Sequence, residues 1–100
     1  MKIAVLGAGA WGTALAMHIS HKHDVCLWAR KTSHVDGMRK VRSNPLYLGD
    51  FKFNDRLSVE SDLALALQDA DFILSVVPTS GFRAILQDIK KLGINVPVIW

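Results

Sequence analysis

The sequence predicts an α/β domain built on a doubly wound parallel sheet, and three observations lead there. Short unbroken apolar runs alternate along the chain with segments of helical spacing, the pattern left by strands that carry helices on both faces. A glycine-rich hexapeptide follows the first apolar run directly and opens the first helical segment. The 100 residues are 50% hydrophobic and 21% charged, which supplies one core and is too apolar for intrinsic disorder.

Taken in order, Ile3–Leu6 (IAVL) is the first strand, and alanine-rich Ala10–Ser20 the first helix. Val25–Trp28 (VCLW) is the second strand. Ser33-x-x-Asp36 has the spacing of a capping box and opens a helix to Arg42. Asn44–Asn54 (NPLYLGDFKFN) is predicted as a long irregular loop on the strength of Pro45 and Gly49, although Phe51 and Phe53 alternate about Lys52 as in a short half-buried strand. Loops of this length in small domains are commonly functional. A weak strand, Leu57–Val59, is followed by a short helix through Gln68 capped by Ser61 or Asp62. Phe72–Val77 (FILSVV) is the fourth strand. Ser80–Lys91 then places Phe82, Ile85, Leu86 and Ile89 at i, i+3, i+4 and i+7, with Thr79 or Ser80 as its cap. Val96–Trp100 is the fifth strand, and the sequence stops inside it. A doubly wound sheet would continue with a crossover helix, so the expectation is a fragment truncated at its fifth strand, with further chain beyond.

Gly7-Ala8-Gly9-Ala10-Trp11-Gly12 matches Gly-x-Gly-x-x-Gly. The match gains force from its context, because it joins a strand to a helix at the start of a strand-helix-strand unit, as the dinucleotide fingerprint of Rossmann-like folds requires. Gly7 serves the tight turn, Gly9 lets a diphosphate approach the backbone, and Gly12 lets helix and strand pack closely. The helix N-terminus beyond offers unpaired N–H groups and a partial positive charge.

About twenty residues further on, NAD-binding domains carry an acid that accepts hydrogen bonds from the ribose 2′-hydroxyl. Here the sequence reads Ala29-Arg30-Lys31, with two cations to meet a 2′-phosphate and no carboxylate to repel it. NADP is therefore the expected cofactor, with NAD as the other possibility. Five of the twelve basic residues fall between positions 30 and 42 against one acid, Asp36. The formal charge of +3 is thus local, and it does not imply nucleic acid. One cysteine, Cys26, cannot form an internal disulfide, which makes the cytoplasm the expected compartment. The uncharged run Ile3–Met17, with Ala14 and Ala16, has the look of a secretory leader, but its three glycines and its brevity argue against both a leader and a membrane span.

GAGAWGTALA at Gly7–Ala16, His23-Asp24-Val25, LWAR at Leu27–Arg30, NPLYL at Asn44–Leu48, Glu60-Ser61-Asp62-Leu63 and Val76-Val77-Pro78-Thr79 together resemble the N-terminal domain of bacterial NAD(P)-dependent glycerol-3-phosphate dehydrogenases. The resemblance spans the whole chain. It implies reversible reduction of dihydroxyacetone phosphate to sn-glycerol 3-phosphate by NAD(P)H for phospholipid synthesis in the cytoplasm. It also implies that Ala10 and Trp11 contact the cofactor on the phosphate turn, that Arg30 and Lys31 meet the 2′-phosphate, and that Tyr47 adds a contact from the loop. Gly49 stands where that family has proline. The catalytic lysine and the substrate-phosphate ligands are expected on a helical domain beyond Trp100, through which a homodimer could form. No catalytic residue is therefore assigned within residues 1–100, which alone should be inactive.

Two other readings use the same turn. One is a ketopantoate reductase, which also places an arginine after the second strand; the other is a non-catalytic nucleotide-sensing module. His18, His21 and His23 lack carboxylate or thiolate partners at ligand spacing and are read as helix-end residues, not a metal site. Cys26 and Trp28 are read as packing residues, and Thr79 and Ser80 as residues at the carboxyl end of a central strand, where such folds bind ligands.

Overall fold

The computed structural model describes residues 1–49 and 51–100. In chain order it contains β1 (Lys2–Leu6), α1 (Ala10–Ile19), β2 (Asp24–Trp28), α2 (Thr32–Val41), α3 (Pro45–Leu48), β3 (Leu57–Glu60), α4 (Leu63–Leu67), β4 (Phe72–Ser75), α5 (Thr79–Lys91) and β5 (Val98–Ile99). Among the described residues the five strands form one sheet in the order β3-β2-β1-β4-β5, every neighbouring pair parallel.

Side chains alternate across this sheet and both faces are covered, as a parallel sheet requires. On one face Val5, Val25, Leu27 and Val59 belong to a core completed by Ala16 of α1 and by Val35 and Met38 of α2. On the other, Ala4, Leu6, Cys26 and Ile73 pack with Ala66 and Leu67 of α4 and with Ile85 and Ile89 of α5. The chain runs outward from β1 through β2 to β3, then returns to lay β4 on the free side of β1. The winding direction reverses between β1 and β4. Such a reversal opens a crevice at the carboxyl ends of the strands, because the connections leave in opposite directions.

Five expectations are corrected. The segment after Asn44 is not a continuous loop: Pro45, whose ring fixes φ near the helical value, starts the single turn α3. Lys52 makes an isolated antiparallel bridge to Ser43 with Phe53 buried behind it, so the Phe51–Phe53 alternation yields one bridge and no longer strand. Asp50, in the same segment, lies outside the described residues.

The Ser33-x-x-Asp36 box does not cap α2, which starts a residue earlier at Thr32 after an extended Lys31, with no side-chain cap bond. Similarly, α5 begins after extended Pro78 and neither Thr79 nor Ser80 is its cap; the side chain of Thr79 lies outside the described residues. Asp62 does cap α4, its Oδ1 accepting from the Leu65 N–H at 3.3 Å. Finally, β4 ends at Ser75 and β5 is reduced to Val98–Ile99. Val76 still donates to the Leu6 carbonyl at 2.8 Å, after which the chain leaves the sheet toward α5.

Ser75 closes β4 with a buried hydroxyl that has no hydrogen-bond partner among the described residues. Burying an unpaired hydroxyl is unfavourable, so Ser75→Ala is expected to leave stability unchanged or raise it by about 1 kcal/mol in denaturant titrations. A loss of similar size would show that the hydroxyl is satisfied by solvent.

Candidate functional site

At the carboxyl ends of β1, β2 and β4, where the winding reverses, lies a cleft of about 640 Å³. Its floor is the turn Gly7–Gly9, and its sides are Trp28–Lys31, His34 of α2, Leu46 and Tyr47 of α3, and Val77–Pro78 with the start of α5.

The three glycines occupy three different environments. Gly7 has φ +113°, a conformation that side chains rarely adopt, and an added Cβ would stand 3.0 Å from the Val76 backbone. Its N–H donates to the Trp28 carbonyl at 2.8 Å, tying the turn to the end of β2. At Gly12 a Cβ would fall 1.9 Å from the Gly7 carbonyl oxygen, so only glycine lets α1 lie this close to the turn. Gly9 is the opposite case: its backbone is ordinary and a Cβ would meet nothing within 4 Å. The space in front of it is therefore a cradle that a side chain would fill.

Helix α1 starts at that cradle without a side-chain cap and without an acidic residue in its first turn. Its first N–H groups and the positive end of its dipole are left for an anion. Ala10 and Trp11 form this first turn; both are exposed and neither lines the cleft, so they adjoin it along the helix end.

Arg30 and Lys31 line the cleft where β2 runs out, and the Arg30 guanidinium lies 5.9 Å from the centre of the Trp28 ring. Trp28 itself is buried and donates Nε1–H to the Ser61 carbonyl at 3.0 Å, which makes it a packing residue that also walls the cleft. The other arginines of the basic segment are occupied elsewhere. Arg39 donates to the Val59 carbonyl and pairs with Glu60 at 3.1 Å, and Arg42 donates to the Asn54 carbonyl at 2.7 Å over the Phe53 ring. Cys26 is buried in the sheet, and desolvation pushes its thiol pKa up, as suits a small apolar residue.

Sequence reasoning missed His34 and the task of Asn44. His34 lies three residues after Lys31, one helical turn along the same face, and that spacing was the available signal. Its Nε2 lies 2.9 Å from Asn44 Oδ1, and its ring is tilted against Tyr47 at 5.9 Å. Asn44 is fully buried and donates Nδ2–H to the Ala8 carbonyl at 2.9 Å and to Thr13 Oγ1 at 2.8 Å. The polar side chains of the cleft, Arg30, Lys31, His34, Tyr47 and Ser80, are cations and hydrogen-bond donors suited to holding an anionic ligand.

Residues 2–100 match the family described as the NAD-dependent glycerol-3-phosphate dehydrogenase N-terminus. The chain belongs to this family. A glycerol-3-phosphate dehydrogenase (NAD(P)+) of Methylobacillus flagellatus is 58% identical over 100 residues, covering all of this chain and 30% of that protein. The crystal structure of a glycerol-3-phosphate dehydrogenase from Coxiella burnetii superposes with a TM-score of 0.92 at 36% identity, over 97% of this chain and 30% of that one. A probable 2-dehydropantoate 2-reductase from Bacillus subtilis gives a TM-score of 0.74 at 17% identity, over 98% of this chain and 32% of that one. That last likeness is one of fold alone. The chain thus spans about 30% of the length of the dehydrogenases it matches. Among the described residues of this dehydrogenase domain, no helix is long and apolar enough to cross a membrane.

Proposed function

We propose that this chain is the cofactor-binding part of an oxidoreductase that interconverts dihydroxyacetone phosphate and sn-glycerol 3-phosphate with NAD(P)H. The enzyme works in the cytoplasm and supplies glycerophospholipid synthesis. Substrate is handled by a helical domain outside these 100 residues, through which subunits pair. One observation carries the reading: an uncapped helix N-terminus and an open Gly9 cradle lie in one cleft with Arg30 and Lys31, at the point where the sheet reverses.

In this reading Gly7, Gly9 and Gly12 shape the turn, and the backbone at Gly9, Ala10 and Trp11 presents N–H groups to the diphosphate. Arg30 and Lys31 meet the 2′-phosphate, which favours NADP over NAD, and Tyr47 closes the cleft from α3. When bound, the nicotinamide supplies the hydride for the ketone carbon. The part played by this chain is to bind and orient, holding the cofactor against the sheet edge so that one ring face meets substrate.

The purified protein carrying this chain is expected to oxidise NADPH when dihydroxyacetone phosphate is added and not when ketopantoate is added, followed by nicotinamide absorbance. Turnover of ketopantoate would support the reductase reading instead. Tight NADPH binding with no turnover of either would support a sensing module.

A further inference from the structure

We propose that Asn44 is a positioning residue that aims the Gly9 N–H into the cleft, with His34 locking the amide of Asn44 in the orientation this requires. The inference rests on the dinucleotide reading above and assigns the α2–α3 connection a role in it.

The orientation of the amide is decided by its partners. The Ala8 carbonyl can only accept, so Nδ2 must face it, and the second N–H goes to Thr13 Oγ1. Oδ1 is then left to accept, and His34 Nε2, 2.9 Å away, must carry the proton it donates. A half-exposed histidine thereby fixes a fully buried asparagine. Across a planar trans peptide the Ala8 C=O and the Gly9 N–H point in opposite directions. Holding the carbonyl toward buried Asn44 sends the N–H the other way. Gly9 lines the cleft, and its N–H makes no hydrogen bond among the described residues, so the donor is left free for a ligand. The same asparagine immediately precedes α3, so one anchor sets both the peptide of the phosphate turn and the place of Tyr47.

The test uses the protein carrying this chain, with NADPH and NADH as probes, calorimetry for affinity and the Gly9 amide resonance as a local signal. His34→Leu removes the donor and is expected to weaken both cofactors by the same factor, about tenfold, as befits one lost hydrogen bond to a charged group. The preference between the cofactors should not move. His34→Gln, whose amide N–H replaces that of the imidazole, should restore both affinities, which a purely structural defect would not do. Addition of NADH should shift the Gly9 amide proton in the unsubstituted protein and in His34→Gln, and leave it nearly still in Asn44→Ala. Wild-type affinity and a normal Gly9 shift in His34→Leu would overturn the proposal, as would a lowered melting temperature with unchanged binding. If the unsubstituted protein binds neither cofactor, the dinucleotide reading itself fails and takes this one with it.

Discussion

Gly12→Ala is expected to unfold the domain, whereas Gly9→Ala should leave it folded and strip it of dinucleotide affinity. The two positions are three residues apart in one motif. At Gly12 the new Cβ would sit 1.9 Å from the Gly7 carbonyl oxygen and 2.8 Å from a Val76 methyl, where ordinary contact begins near 3.4 Å. The obstructing atom is backbone, and the Gly7 peptide cannot shift freely because its N–H is bound to the Trp28 carbonyl at 2.8 Å. Helix α1 would have to move off the sheet, losing the contacts of Ala16 with the core. Overpacking of this kind costs about 3 kcal/mol or more, a large share of the marginal stability of a small domain. At Gly9 the backbone is ordinary and the space is open, so alanine should change stability by less than about 1 kcal/mol, in either direction. Its methyl group would occupy the cradle and hold a diphosphate off the N–H groups of α1. NADPH affinity should then fall by roughly tenfold or more, the loss of at least one charge-assisted hydrogen bond. Denaturant midpoints and calorimetry on both variants check this. Equal stability of the two variants would refute the packing role of Gly12, and undiminished affinity in Gly9→Ala would refute the phosphate cradle.

This contrast also shows which features could be read from the sequence. The glycine motif could be assigned because each glycine answers a local constraint, and local constraints leave their mark on residue type. Strands β1 and β2 are equally plain, since burial on both faces forces unbroken apolar runs. The polar side chains posed a different problem. Arg30, Arg39 and Arg42 look alike in sequence, yet Arg30 lines the cleft while the others are held by the Val59, Glu60 and Asn54 groups, partners 12 to 21 residues away. The Asn44–Ala8 contact spans 36 residues, and no periodicity reports such a pairing. The predicted loop differs from the structure for a related reason: proline breaks a helix from within, but at the first position, where Pro45 stands, it initiates one. Gly49 ends that turn with φ +62°, a value that proline could not adopt.

Arg30→Asp is expected to turn cofactor preference from NADPH toward NADH. The guanidinium lies at the end of β2 on the cleft wall, steadied 5.9 Å from the Trp28 ring centre, where a forked contact to a phosphate is available. A charge-assisted hydrogen bond contributes about 1.5–3 kcal/mol, so its loss alone moves the NADPH to NADH affinity ratio by about one to two powers of ten. Arg30 is exposed, and solvent screening brings the expectation to the lower end of that range. The aspartate adds repulsion toward a 2′-phosphate and an acceptor for a 2′-hydroxyl, both of which push the ratio further. Compensation by neighbours is limited. Arg39 is paired with Glu60 and Arg42 is bound to the Asn54 carbonyl, so Lys31 is the neighbouring cation that also lines the cleft. Any preference for NADPH left in Arg30→Asp should therefore vanish in the Arg30→Asp, Lys31→Ala double variant. The salt dependence of NADPH binding should flatten in step, because each lost cation removes one screened attraction. Unchanged affinity for both cofactors in Arg30→Asp would mean that this arginine serves the solvent face of the domain and that another part of the cleft selects the nucleotide.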